Sequence, residues 1–390
     1  MKIPISYNLR NMRARRNTTL VTAFGVALVV FVFTASLMLN YGLQKTLVET
    51  GSRANAIAIR RSSQTEIQSI VMRESAAIVS AQPEIATGRE GRPLSTSESV
   101  VLINLKKRKT GEPSNVTIRG VSPQSLEIRD NVKISAGRTW TKGSSEIIAG
   151  RRIAEEFEGC GLGETVRFGS REWTVVGLFE ANKSGFESEI WGDVDQLMQA
   201  YGRPVFSSVT MKLKEPVEQN LLALKERLEA DLRLTAEVLS EEEYYANQSR
   251  TMSTFIAILG NLISAIFSLG AIVGAMITMY ATVSNRTTEI GTLRALGFRR
   301  RSIMATFLIE SVLLSLLGGL IGVGLATFMQ FVTVSTTNWD TFAEVAFSFT
   351  LSPAIAGAGL IFACVMGLVG GFLPAVRASR LGIVDALRTS

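Results

Sequence analysis

The chain has 390 residues, 46% of them hydrophobic, with a formal charge of +7, a balance that excludes a disordered or collagen-like protein. It contains no histidine, which removes His-based triads and His metal sites. Its two cysteines, Cys160 in a Gly-rich loop and Cys364 in an apolar run, have no CxxC partner, so no redox pair, zinc knuckle or mutual disulfide is expected.

The positive charge is unevenly placed. Residues 45–250 carry 28 Lys plus Arg against 29 Asp plus Glu, while 1–16, 286–301 and 377–388 together carry 13 basic and 2 acidic residues. Basicity concentrated beside apolar runs is the pattern of membrane topology, and no nucleic-acid partner is expected.

In chain order, a basic segment (1–17) precedes the uncharged run Thr18–Asn40. A helix crossing a hydrocarbon core of about 30 Å needs about 20 apolar residues. Thr18–Asn40 meets that length, as do Ser253–Val283, Ile303–Val334 and Ala346–Val376. The first run exceeds the ~7–15 residues of a cleaved signal, so it is expected to stay as an anchor. Arginines flank the spans on one side: Arg10, Arg13, Arg15 and Arg16; Arg294, Arg299, Arg300 and Arg301; and Arg377, Arg380 and Arg388. The piece between the third and fourth spans has Asp340 and Glu344 and no basic residue. Both termini and the segment 284–302 are therefore expected in the cytoplasm, and residues 42–250 outside. The expected division is 18–41, 251–283, 303–334 and 346–376 as spans, with 335–345 a short outer loop and 377–390 a cytoplasmic end.

The region 42–250 reads as mixed α and β. NAIAIRR, SVVLINLKKR, NVTIRGV and SEIIAG have strand character, and ETVRF-GS-REWTVVGLFE is a hairpin turning at Gly169-Ser170. Helices are expected over Thr65–Ser80, in RRIAEEF, and in VEQNLLALKERLEADL between the strands VFSSVTMKL and TAEVLS. A further helix, EEEYYANQSRTMSTF, leads into the second span. Together with Tyr41–Gly51 after the first span it would form a stalk. The fold class is thus an α-helical membrane protein of four spans with a mixed α/β extracytoplasmic domain between helices 1 and 2.

TVSNRTTEIGTLRALGFRRRSI (Thr282–Ile303) is the short polar segment between spans two and three. Arg286–Leu296 fits about three helical turns, with Arg286 and Glu289 as an i,i+3 pair. Ile290, Leu293 and Leu296 fall on one side, and Gly297 suits a left-handed helix end. Apolar knobs set among charges suit docking on a partner protein; a solvated loop whose arginines only fix topology explains the same residues. Glu310 is the ionisable residue inside a span, where a carboxylate costs about 2.5–3.5 kcal/mol at mid-bilayer and less near the interface. It reads either as part of a coupling network or as a polar helix contact. Gly318 and Gly322, and Gly367 and Gly371, allow close helix approach within the chain or across a dimer. No GxxxxGK[ST] phosphate loop occurs, so ATP hydrolysis by this chain is not expected. The glycines of GCGLGE (159–164) read as a turn rather than a phosphate site.

Glu289, Ile290, Gly291, Arg294, Ala295 and Gly297 match the E-I-G-x-x-R-A-x-G pattern of the FtsX/MacB family of ABC transporter permeases, which the whole chain resembles. GGFLPAVRASRLGIVDALR is similar to the family's closing pattern, although Asp385 is followed by Ala386 where the family often has proline. GRTWTKGSSEIIAGRRIAEEF…GLGETVRFGSREWTVVGLFE resembles the family's Sabre insertion (about 121–203), flanked by Porter-like pieces (about 52–120 and 204–240), with an FtsX-like permease region over about 251–390. The resemblance implies a bacterial inner-membrane, multi-pass subunit whose helix at Arg286, Glu289, Ile290, Gly291, Leu293, Arg294 and Gly297 docks on a separate ABC ATPase. It further implies a second permease copy, membrane lipid, a periplasmic adaptor with an outer-membrane channel, and ATP and Mg bound by the ATPase rather than by this chain. Transmission of ATP-driven motion for export or lipoprotein extraction is the implied function; a non-transporting regulator of a periplasmic partner such as a cell-wall hydrolase is the alternative.

Overall fold

The computed structural model describes residues 16–89 and 91–382. Arg10, Arg13, Arg15, Arg388 and the Asp385–Arg388 closing motif lie outside the described residues. In chain order the elements are α1 (Arg16–Val48), β1 (Asn55–Arg60), α2 (Arg73–Ser80), β2 (Ser95–Lys106), β3 (Pro113–Val121), α3 (Ser125–Ile128), β4 (Lys133–Gly137), β5 (Glu146–Gly150), α4 (Arg151–Glu156), β6 (Thr165–Phe168), β7 (Arg171–Glu180), β8 (Glu189–Asp193), α5 (Val194–Ala200), β9 (Ser208–Lys212), α6 (Glu218–Ala230) and β10 (Ala236–Ser240). Then follow α7 (Glu241–Ser284), α8 (Thr287–Ala295), α9 (Arg300–Thr327), β11 (Thr333–Thr337), β12 (Glu344–Ser348) and α10 (Pro353–Arg380). Among the described residues two compact units result, one within 42–254 with 333–347, the other of 16–41, 255–332 and 348–382.

The α/β unit is built on a ten-stranded sheet in the order β10-β1-β9-β2-β3-β8-β5-β7-β4, with β6 on β7. β3 carries the sheet across its middle, antiparallel to β2 and parallel to β8. Its last six residues are buried, as a central strand covered on both faces requires. One core gathers Ile118, Ile147, Trp173 and Ile190; another gathers Ala56, Val209, Leu224 and Val238 beneath α6. The β6–β7 hairpin turns at Gly169-Ser170, with φ of +53° and +61°. Two left-handed residues match the twist of a two-residue hairpin.

The other unit holds four helices long and apolar enough to cross a membrane, the second of them the 44-residue α7. α9 and α10 pack against one another, with Ser311 Oγ donating to the Gly367 carbonyl at 2.7 Å.

Three sequence expectations change. Of Thr65–Ser80 only Arg73–Ser80 is helical, because Val71 exchanges backbone hydrogen bonds with Phe206 and holds the preceding residues in an irregular segment. The third apolar run ends as helix at Thr327 and continues through a 3-10 turn, Phe328–Phe331, into a strand. Residues 344–348, expected partly in the fourth span, are the second strand of a hairpin, so 335–345 is not a plain loop. β-branched TVSTT favours extended backbone. α10 starts only at Pro353, whose fixed φ suits the first helical position, with Ser352 Oγ accepting from the Ile355 N–H.

Candidate coupling site

The polar segment between α7 and α9 folds as the nine-residue helix α8. Its end is a Schellman closure: the Phe298 N–H donates to the Leu293 carbonyl and the Gly297 N–H to that of Arg294. Gly297 takes the left-handed turn at φ +90°, where a side chain would be strained.

Arg286 stands at the start of α8 and is only 7% exposed. Its Nε lies 2.7 Å from Glu289 Oε2 and its Nη2 3.3 Å from Glu289 Oε1, the expected i,i+3 pair. Its Nη1 reaches Glu310 Oε2 at 3.0 Å, nearly three helical turns into α9. The guanidinium also lies 5.1 Å from the centroid of the Phe307 ring, a cation–π contact from the same helix face as Glu310. A carboxylate in an apolar span needs such a partner, and that need was the signal for Arg286 in the sequence. Glu289 is half exposed; burial, and then the charge of Glu310, raise its pKa above the ordinary carboxylate value.

The apolar side expected to face a partner is divided. Ile290 is 1% exposed and packs with Met279, Val283, Ile303, Phe307, Ala375 and Ala378. It plugs the place where the ends of three long helices meet, so it holds α8 down rather than offering a knob. Leu293 is half-buried and Gly291 buried, while Leu296 is 67% exposed. Thr288, Thr292, Ala295, Leu296 and Arg299 form the open side. Arg294 is half-buried, and its Nε has no hydrogen-bond partner among the described residues.

Gly318, Gly322, Gly367 and Gly371 sit at helix contacts within the chain. A Cβ on Gly318 would come 2.6 Å from the Ala23 carbonyl oxygen, and one on Gly322 2.6 Å from that of Ala27, so α9 lies directly on α1. Gly367 and Gly371 face Ser315 and Ser311 of α9. Arg377 lies with its guanidinium 5.5 Å from the Tyr280 ring centroid.

The two halves of the chain also match known families. The family model for the MacB-like periplasmic core domain matches residues 19–230, and that for the FtsX-like permease C-terminal region matches 261–383. The chain belongs to the MacB/FtsX-type permeases. This permease is 28% identical over 311 residues to the uncharacterized ABC transporter permease YknZ of Bacillus subtilis, over 75% of this chain and 74% of that one. It is 26% identical over 407 residues to the macrolide export ATP-binding/permease protein MacB of Neisseria gonorrhoeae, over 96% of this chain. It spans 59% of the length of that MacB. Among solved structures, the periplasmic region of MacB from Actinobacillus actinomycetemcomitans aligns with 49% of this chain and 90% of its own, at 15% identity and a TM-score of 0.37. The extracellular domain of YknZ aligns with 48% of the permease and all of itself, at 15% identity and a TM-score of 0.34. Four apolar helices and this family make the permease a protein of the inner membrane.

Sequence reading missed a second charged site in the permease, the buried arginines Arg119 and Arg129 of the α/β unit and their glutamates. The signal was present: NVTIRGV and SESVVLINL each place one charged residue beside the apolar positions of a strand, and a charge that is buried there requires a partner.

Proposed function

We propose that the chain is the permease subunit of an ABC complex and transmits the ATP-driven motion of a separate ATPase subunit to its periplasmic core domain. The observation that carries this reading is the rooting of α8. A nine-residue helix joins two membrane-length helices, its base is bonded through Arg286 to Glu310 of α9, and Ile290 is locked into their core. A push on its open side, at Leu296 and Arg299, would pass into α9 rather than be absorbed by a loop. Glu289, Arg294 and Gly297 shape the docking helix; Ile290 and Gly291 hold it. In this reading α8 and both termini face the cytoplasm, ATP and Mg2+ bind the ATPase and not this chain, and a second copy of the permease completes the complex. The names of the MacB relatives favour export; in that reading an adaptor and an outer-membrane channel would be further partners.

The test is affinity purification of the tagged chain from its native membranes in mild detergent. An ATPase subunit in near-equal amount is expected, lost on Leu296→Asp and uncoupled by Glu289→Lys. An adaptor in the same eluate supports export; a cell-wall hydrolase in its place would make the complex a regulator. Recovery without any ATPase, unchanged by either substitution, would leave α8 as a topological loop and defeat the proposal.

A further inference from the structure

The α/β unit buries two arginines among four glutamates. Arg119 of β3, 1% exposed, meets Glu66 (Nη1–Oε1 2.8 Å), Glu98 (Nη1–Oε2 2.7 Å) and Glu189 (Nε–Oε2 2.8 Å). Arg129, also 1% exposed, meets Glu98 and, at 2.9 Å, Glu241. The ring of Phe186 lies against both guanidinium groups, at 5.6 and 4.8 Å.

Glu241 is the first residue of α7 and is 1% exposed. One carboxylate oxygen takes the Arg129 bond; the other accepts from the Ser52 N–H at 3.2 Å and from Asn55 Nδ2 at 2.8 Å. One turn further along α7, Tyr245 Oη accepts from Arg119 at 3.2 Å and Tyr244 Oη from the Glu66 N–H at 2.8 Å. Just past the end of α1, Gly51 lies so close to the Glu241 and Glu242 backbone that no Cβ would fit. The C-terminal end of α1 and the N-terminal turn of α7 are therefore tied to the sheet, and to each other, around one carboxylate.

Stability alone is a weak reason for such a cluster, since desolvation offsets much of the attraction and an apolar core of the same volume often serves as well. What charge-assisted, multiply bonded guanidinium groups supply is a fixed geometry. Helix α7 is unbroken from Glu241 to Ser284. We propose that Glu241, held by Arg129 and Ser52, is a positioning residue that locks the starting turn of α7 and the end of α1 to the sheet, so that a displacement of α7 carries the sheet with it rather than sliding past it. This rests on the transmission function proposed above and names where the motion enters the core domain.

The test is amide hydrogen exchange of the full-length chain in lipid nanodiscs. Glu241→Gln keeps the size and an acceptor but removes the charge. It is expected to speed exchange over residues 241–250 at least tenfold while leaving β3 and β8 unchanged. Tyr245→Phe, which deletes one hydroxyl, is expected to give a smaller change confined to the same residues, and keeps the test alive if Glu241→Gln does not fold. Unchanged protection over 241–250, or an equal loss across β3 and β8, would overturn the proposal, since the first denies the lock and the second makes the cluster ordinary packing. In the complex with its ATPase, the exchange change that ATP causes in β3 and β8 is expected to vanish in Glu241→Gln while ATPase stimulation survives; its persistence would equally overturn the lock. If ATP causes no such change in the unaltered complex, the transmission function fails, and the exchange result on the chain alone still decides the lock.

Discussion

The guanidinium of Arg286 bridges Glu289 on its own helix and Glu310, 24 residues on. Arg286 and Glu310 have side-chain exposures of 7% and 11%, so neither charge can turn to solvent when its partner is removed. Breaking a buried pair from one side typically costs about 3–5 kcal/mol. Glu310→Ala is expected to destabilise the permease at the low end of that range, because Arg286 keeps Glu289, and Glu310→Gln by less. Thermal unfolding in detergent measures it; an unchanged midpoint would remove Glu310 from the site.

Gly318 and Gly322 are expected to resist substitution. Gly318→Leu and Gly322→Val force side chains against the backbone of α1, and overpacking typically costs about 1–3 kcal/mol. Gly324→Ala is the control, since nothing lies within 4 Å of the added carbon. The expected pattern is a lowered unfolding midpoint for the first two and none for the third. Equal tolerance of all three would mean that α1 and α9 do not pack through these glycines.

Cys160 is buried, and burial pushes its thiol up to about 12. Because the thiolate is the reactive form, Cys160 is expected to escape a maleimide mass tag at pH 8 and to react only after denaturation. Prompt labelling of Cys160 in the native chain would contradict the packing around β6.

Glu146 and Arg138 provide a pH-dependent contact in the α/β unit. Hydrogen bonds from Arg138, and then from Thr141, outweigh burial and hold the Glu146 carboxyl down to about 2. A carboxyl whose folded value is depressed contributes stability that is present above its ordinary value, near 4.5, and is lost as pH falls towards 2. Glu146→Gln is thus expected to lower the unfolding midpoint at pH 7, with the gap to the unaltered chain closing between pH 4.5 and 2. The Arg138 side chain is 56% exposed and that of Glu146 21%, so solvent reaches the pair and added salt should shrink the gap. A gap independent of pH would show that the side chain acts through packing instead.

The four apolar helices were readable from the length of their runs, and the 169–170 hairpin, α8 and its glycine end from local spacing and turn residues, because none of these needs a distant partner. The helix start at Pro353 was missed, because the apolarity of 346–376 concealed it: composition does not distinguish a buried strand from the start of a helix. The family resemblance carried by Glu289–Gly297 was likewise local, and both family matches agree with it.

What sequence alone determined about this permease was therefore its inventory: membrane-length helices, an α/β region, a short polar helix and its family. Tertiary structure alone decided which charges share a site. Arg286 meets Glu310 across 24 residues, and Arg129 meets Glu241 across 112. Such pairings leave no periodic trace, because a buried charge records in the sequence only that it needs a partner, and chain folding in three dimensions selects which one. The same holds for Ile290, whose spacing suited an open docking face and whose packing against α7, α9 and α10 made it core.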